Sequence, residues 1–371
     1  MNIEVIAPHD PGCHFTEKWE NIRIHRFPYF YPFQLQRLCY GSGIVKNIKN
    51  NLPAILQLPF LCASEFLYSL AVFKKTKPDI IHAHWSLPQG LIGIIAKRIF
   101  KIPCVTSIHG SDVYGLRSAF FKALNTVVIR NSDICTANSM ATARIARKVC
   151  GNDNVNVLPM GVDTEYFSKI HDVASLKRKF KIEGPVILFV GRLIDWKGTA
   201  YLINAMPETL QRFPTAKALI IGSGPQKDEL VGLAETLALQ EHVIFIDEVP
   251  QEELVAFYSM ADIFVLPSIV NENGETEGLG VVLLEAMACG LPVIGCNVGG
   301  IPDIIRNDVT GLLARQKDPG DLAEKIIQML SDKVLRNKVI QNGLDLIERK
   351  FSWEAISDKF IEVYNSVLKT E

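Results

Sequence analysis

Val186-Ile-Leu-Phe-Val190-Gly191-Arg192-Leu-Ile-Asp-Trp-Lys197-Gly198 reads as a strand that ends on a glycine, carries two cations through a short loop and then gives way to a helical pattern. Five successive apolar residues suit a strand covered on both faces. Glycine at its carboxyl end lets backbone approach a ligand. On either side of this run, short apolar segments alternate with helical patterns, as in parallel sheets covered by helices. Strands are expected at 3–7, 22–27, 80–84, 103–108, 133–136 and 155–158 in the first half. In the second half they are expected at 186–190, 218–222, 243–246, 263–266, 292–296 and 311–313. The reading is an α/β protein of two doubly wound, Rossmann-like domains, residues 1–163 and 164–352. Pro159-Met-Gly-Val-Asp163 would be the hinge, and a closing helix, 353–371, would pack back across it and complete the first domain.

The length of 371 residues agrees with two domains of roughly 150 residues or more each. Net charge is −1, but the halves differ: 18 basic against 11 acidic residues up to Glu165, and 21 against 29 beyond it. A basic first half suits an anionic membrane surface or a phosphorylated acceptor. No dense Lys/Arg stripe with interleaved aromatics occurs, which argues against nucleic acid. The eight cysteines include no CxxC pair and sit mostly among apolar neighbours, as free thiols of a reducing cytoplasm do. No charged, then apolar, leader opens the chain. Leu52–Phe73 is apolar but interrupted by Pro53, Pro59 and Glu65, so it is a poor membrane span. With Lys46, Lys49, Lys74, Lys75 and Lys77 flanking it, an amphipathic helix resting on a membrane or on its own domain fits better.

A second informative stretch is Glu277-Gly-Leu-Gly-Val-Val-Leu-Leu-Glu285, where a glycine-rich loop runs into a helix closed by Gly290. Glu277 falls at the helix start and Glu285 about two turns on, roughly 9–12 Å away at about 1.5 Å per residue. Free N–H groups at such a start favour anions, so Glu277 belongs there only if it accepts hydrogen bonds from neutral hydroxyls. A ribose at one carboxylate and a hexose at the other would suit the spacing. The structural alternative is a helix cap and a solvated flank. Arg192 and Lys197 put two cations beside another helix start, a diphosphate clamp able to stabilise charge on a leaving phosphate. Solvated loop residues are the competing reading. Ile221-Gly222-Ser223-Gly224-Pro225 is a further tight strand-to-helix turn. Lys227 occupies the place of the third glycine of a dinucleotide fingerprint, which favours a nucleotide edge over NAD.

In the first half, Ile108-His109-Gly110-Ser111-Asp112 and Ala83-His84-Trp85 end strands. His109 and His84 there can reach a ligand, whereas His82 is expected on the opposite side of its strand. No Asp-x-Asp pair and no zinc spacing occur, so metal-independent chemistry is expected, with Arg192, Lys197 and the helix dipole in place of a divalent cation.

On Gly191-Arg192-x4-Lys197-Gly198, Gly222-x-Gly224-Pro225, Glu277-Gly-Leu-Gly-x4-Glu285-Ala-Met-Ala-x-Gly290-x-Pro292-Val and Gly299-Gly300-x-Pro302, in that order, the chain resembles glycosyltransferase family 4 over nearly its whole length. The resemblance implies the GT-B fold and retention of anomeric configuration. It implies that Glu285 binds the ribose of a nucleotide sugar, that Glu277 and the amides of Gly278, Leu279 and Gly280 hold the transferred sugar, and that Arg192 and Lys197, beside Gly191 and Gly222, hold the diphosphate. His109 matches the family's cleft histidine, and Gly110, Asp112 and His84 fall on the acceptor side. One departure is that the strand, glycine-rich loop and helix that open the family are expected to be missing ahead of Ile3, with Pro11-Gly12 a weak substitute for the double glycine.

The expectation is a metal-independent, retaining glycosyltransferase that needs no cofactor. It would move a sugar from a nucleoside-diphosphate donor, such as a UDP-sugar, to a saccharide or lipid-linked hydroxyl, in polysaccharide or lipid-linked saccharide synthesis. The setting would be cytoplasmic, at the inner membrane face. The competing classes are a non-catalytic GT-B protein that binds nucleotide sugar or glycan, and a nicotinamide-dependent oxidoreductase. Donor binding without transfer would single out the first, and NAD(H) binding the second.

Overall fold

The computed structural model describes residues 1–39, 47, 52–114, 118–151, 155–168 and 172–369. Lys46 and Lys49 lie outside the described residues. The chain forms two compact units, Met1–Thr106 with Asn131–Asp133, and Ser107–Arg130 with Ile134–Glu371.

The smaller unit opens with β1 (Ile3–Pro8), β2 (Thr16–Trp19) and β3 (Ile22–Phe27). β1 pairs with β3 in parallel and β2 with β3 antiparallel. The hairpin β2–β3 is not expected from the sequence, because Thr-Glu-Lys-Trp shows no apolar alternation. Glu20, at φ 49°, makes its tight turn, and the Arg26–Glu17 ion pair at 2.9 Å ties the strands. Phe27, Tyr29, Leu38 and Leu61 form a small core beneath the helix Leu58–Thr76. β4 (Ile81–His84), the helix Leu91–Phe100 and β5 (Cys104–Ile108) follow. The stretch expected as one amphipathic helix is two, Leu52–Ile55 and Leu58–Thr76. Among the described residues no helix is long and apolar enough to cross a membrane.

In the larger unit, β6 (Ile134–Ala137) pairs in parallel with β7 (Val155–Val157). The helices Ala119–Asn131 and Met140–Cys150 accompany them over a core that includes Ile108, Ile129, Ala143 and Val155. Then come β8 (Val186–Val190), β9 (Lys217–Ile221), β10 (Val243–Ile246), β11 (Ile263–Leu266), β12 (Val293–Cys296) and β13 (Leu312–Ala314). They form one parallel sheet of order β10-β9-β8-β11-β12-β13. Its central strands are buried along their length, Val186–Phe189 and Ile263–Leu266 being 0 % exposed. At about 1.5–3 kcal/mol for each large apolar side chain buried, such strands anchor the unit. The chain leaves β8 toward β10 and returns on the other side at β11. A crevice therefore opens beyond the carboxyl ends of β8 and β11, the topological switch point where open α/β sheets take ligands.

Apart from the unexpected β2, every strand lies within one residue of its expected bounds. The last helix, Trp353–Leu368, begins against the 159–163 turn: Val162 N–H donates to Phe351 O at 2.8 Å, and a Cβ on Gly161 would lie 2.7 Å from the Trp353 ring.

Candidate functional site

At the switch point the loop after β8 is built to meet the loop after β11. Asp195–Lys197 forms a single 3-10 turn, and Gly198 follows at φ 68°. A Cβ on Gly198 would sit 2.0 Å from Pro267 O, so this close approach, as well as the backbone angle, demands glycine. Ile269 N–H donates to Trp196 O at 2.8 Å. The Asn271 amide donates to Asp195 Oδ2 at 2.7 Å and to Glu275 Oε2 at 2.9 Å. The β9 turn braces the same loop from the other side. A Cβ on Gly222 would lie 2.0 Å from Gly191 O and one on Gly224 2.2 Å from Leu193 O, while Leu193 N–H donates to Ser223 O at 2.8 Å. These two glycines are thereby accounted for by loop-on-loop packing.

Lys197 and Glu277, eighty residues apart, meet here. The ammonium donates to Glu277 Oε2 at 2.5 Å, with the side chains only 13% and 12% exposed. Ser268, fully buried at the end of β11, donates its hydroxyl to the same oxygen at 3.3 Å. The acid expected to require neutral hydroxyls is thus balanced by a cation of the protein itself. Its backbone is held from behind: Gly300 N–H donates to Glu277 O at 3.0 Å, and a Cβ on Gly299 would fall 2.0 Å from that oxygen. Gly280, at φ 90°, turns the chain into the helix Val281–Ala288. Leu279 is buried beneath the turn, and Leu283 N–H closes the first helical turn on Gly280 O at 2.8 Å, which leaves the amides ahead of it at the helix start without an acceptor one turn back. Arg192 is exposed, its guanidinium 5.7 Å from the Trp196 ring centroid.

Glu285 lies one turn further along this helix. It accepts the Tyr258 hydroxyl on Oε2 at 2.8 Å. Burial pushes the Glu285 pKa up, and the tyrosine's donation partly opposes that. Tyr258 is 1% exposed, and burial raises its own pKa well above the usual phenol range.

The His109 turn belongs to the same unit. Gly110, at φ 99°, makes the turn, and the buried Asp112 accepts the His109 N–H on Oδ1 at 3.2 Å. Asn138 donates its amide to His109 O at 3.1 Å. A Cβ on Gly278 would be 3.2 Å from His109 O and 3.4 Å from Asn138 Nδ2, so the glycine loop and the His109 turn touch. His84 lies in the smaller unit. The expectation that His82 faces away is corrected: the His82 and His84 rings are 4.2 Å apart, because residues two apart on a strand share a face. Ser268, Tyr258, Asn138 and Asn271 were not singled out in the sequence. Only Tyr258 carried a signal, a tyrosine on an apolar helix whose hydroxyl must find a partner.

Residues 1–166 match the family model for glycosyltransferase family 4, and residues 172–345 that for glycosyl transferases group 1. A protein of Methanocaldococcus jannaschii described as an uncharacterized glycosyltransferase is 30% identical over 85% of this chain and 83% of its own. The GDP-mannose-dependent monoacylated alpha-(1-6)-phosphatidylinositol monomannoside mannosyltransferase of Corynebacterium glutamicum is 31% identical over 80% of this chain and 78% of its own. Among solved structures, sucrose-phosphate synthase from Thermosynechococcus elongatus superposes with a TM-score of 0.79 at 23% identity, covering 100% of this chain and 90% of that one. Anabaena HepE in complex with UDP gives 0.77 at 19%, covering 99% and 100%. The fold is GT-B, with parallel sheets in two Rossmann-like domains. The chain belongs to glycosyltransferase family 4.

Proposed function

We propose that this glycosyltransferase takes a nucleoside-diphosphate sugar as donor and transfers the sugar, with retention and without a metal ion, to a hydroxyl of a saccharide or lipid-linked acceptor. The observation that carries the reading is the Lys197–Glu277–Ser268 cluster at the sheet's switch point, where a cation, a carboxylate and a helix start converge. Lys197 gives one N–H to Glu277 and has two more for a phosphate oxygen. With Arg192 it would stabilise the charge growing on the leaving diphosphate. Glu277 would accept from the transferred sugar and Glu285 from the ribose, and the His109 turn, beside Gly278, would complete the sugar pocket. In the step, the bond from the anomeric carbon to the phosphate oxygen breaks and the acceptor oxygen bonds to that carbon on the same face. The acceptor's proton passes to the departing phosphate oxygen. Exclusion of water during this step would limit hydrolysis.

For the setting we favour the inner face of an anionic membrane. The smaller unit exposes Tyr31 at 81%, Leu56 at 69%, Leu67 at 65% and Phe60 at 55%, together with Lys74, Lys75 and Lys77, a combination suited to an interfacial surface. The loop packing of Gly222 and Gly224 explains those glycines without a nicotinamide cofactor.

A thermal-shift panel of UDP-, GDP- and ADP-sugars identifies the donor, since a ligand of the native state raises its melting temperature. Transfer with that donor, read by NMR of the product's anomeric signal in EDTA, tests retention and metal independence. An inverted product, or activity abolished by EDTA and restored by Mg²⁺, would overturn those parts of the reading. Stabilisation by no nucleotide sugar would overturn the whole.

A further inference from the structure

We infer that Tyr258 is a positioning residue for nucleotide recognition: its hydroxyl holds Oε2 of Glu285 and so leaves Oε1 oriented to accept from the ribose. The inference rests on the reading of Glu285 as the ribose acceptor.

Tyr258 lies in the helix Gln251–Met260, ahead of β11, while Glu285 lies in the helix after it. Their contact at 2.8 Å therefore joins the two helices that flank one of the switch-point strands. The tyrosine ring has little freedom. It is 1% exposed, packed edge-on to Phe167 at 6.1 Å and against Phe264 of β11 at 5.8 Å between centroids. A buried phenol must donate, and Glu285 Oε2 is its acceptor. Glu285 Oε1 receives no hydrogen bond from the described residues.

A glutamate on a helix otherwise samples several rotamers, each of which must be frozen when a ligand binds. Fixing it beforehand removes that cost from binding. The same hydrogen bond favours the carboxylate over the acid, and the carboxylate is the stronger acceptor for a diol. Among the described residues, the other titratable group acting on this pair is Cys289, whose thiol is pushed up to about 12 chiefly by burial, so it stays neutral alongside Tyr258 while Glu285 titrates.

The test is calorimetric titration of the full chain with UDP and GDP and their 2′,3′-dideoxy analogues between pH 5.5 and 8.5. Wild type should prefer the ribonucleotide by about tenfold or more, the value of a hydrogen bond to a charged group. Tyr258→Phe should lose about three- to tenfold of that preference, and its affinity should fall away at a higher pH than in wild type. Glu285→Gln should abolish the preference, and Tyr258→Phe added to it should change nothing further. Glu285→Asp, which withdraws the carboxylate from the tyrosine, should lose the preference as well, and it serves if the phenylalanine variant fails to fold.

A Tyr258→Phe protein with wild-type preference and pH profile would overturn the inference while leaving the ribose reading intact. So would an extra loss on top of Glu285→Gln, or an Asp variant that keeps full preference. A wild type that does not distinguish ribose from dideoxyribose would overturn the role of Glu285 itself, and the inference with it.

Discussion

Lys197→Met separates the structural work of the Lys197–Glu277 pair from its chemical work. The substitution keeps most of the side chain's volume but strands the Glu277 carboxylate, which loses a partner at 2.5 Å and retains only the Ser268 hydroxyl at 3.3 Å. Breaking a fully buried pair from one side costs about 3–5 kcal/mol, since a desolvated charge is left behind. With the side chains 13% and 12% exposed, some water reaches this pair, so about 2–4 kcal/mol is expected. For a unit of this size that is a fall of roughly 4–8 °C in melting temperature. Glu277→Gln added to Lys197→Met should recover stability to within about 1 kcal/mol of wild type, because a neutral pair leaves no orphaned charge. Activity should not recover. Lys197→Met, Glu277→Gln and the double variant should each lose about 10²–10³ in turnover, the scale of removing one group that stabilises transition-state charge. Calorimetric melts and a transfer assay on the same preparations read both quantities. Equal melting temperatures for wild type and Lys197→Met would refute the energetic argument. A double variant as unstable as the worse single would refute its electrostatic origin, and unchanged turnover in Lys197→Met would refute the catalytic role.

Other expectations follow from single features. Glu285→Ala should leave the chain folded but weaken nucleotide binding about 10-fold or more, as loss of a charged acceptor does, and titration calorimetry reads it. Gly222→Ala must push a Cβ placed 2.0 Å from Gly191 O and strain a φ of 143°, so more than ~2 kcal/mol should be lost in urea melts. Gly232→Ala, inside the helix Lys227–Thr236 with nothing within 4 Å, should instead gain about 0.5–1 kcal/mol. In the smaller unit, burial pushes Glu65 up to about 7 from 4.5. Between those values the folded carboxyl keeps a proton that the unfolded one has released, so stability falls as pH rises from about 4.5 to 7, by up to ~3 kcal/mol. Glu65→Gln should therefore melt higher than wild type at pH 8 and match it near pH 4.5, and melts at both pH values check this. Reversing Lys74, Lys75 and Lys77 to Glu should reduce flotation with anionic vesicles without affecting neutral ones; equal flotation would remove the membrane surface from the reading.

Local chemistry was legible in the chain, and its partnerships were not. Val186–Val190 and Ile263–Leu266 could be placed to the residue because strands buried on both faces are continuous apolar runs between glycines and helices. The hairpin strand Thr16–Trp19 left no such trace, being polar at three of its four residues and secured by the ion pair of Glu17 with Arg26. Lys197 and Glu277 were each recognisable as reactive, one as a cation at a strand end and the other as an acid before a helix. Their pairing depends on β11 lying beside β8 although two strands and three helices intervene in the chain, and no local pattern encodes that adjacency. The glycines make the same point from the other side. Gly198, Gly222, Gly224, Gly299 and Gly300 stand in the sequence as fixed members of spaced motifs, with nothing local to say what each must avoid. In the folded chain each approaches another backbone segment, at 2.0–2.2 Å from where its Cβ would be. Their smallness lets the four loops after β8, β9, β11 and β12 close on one another, and that closure fixes where Lys197 and Glu277 can stand. Rigidity at this site is therefore supplied by residues that need touch no substrate, which is why the spacing of the motifs carries more information than any one side chain within them.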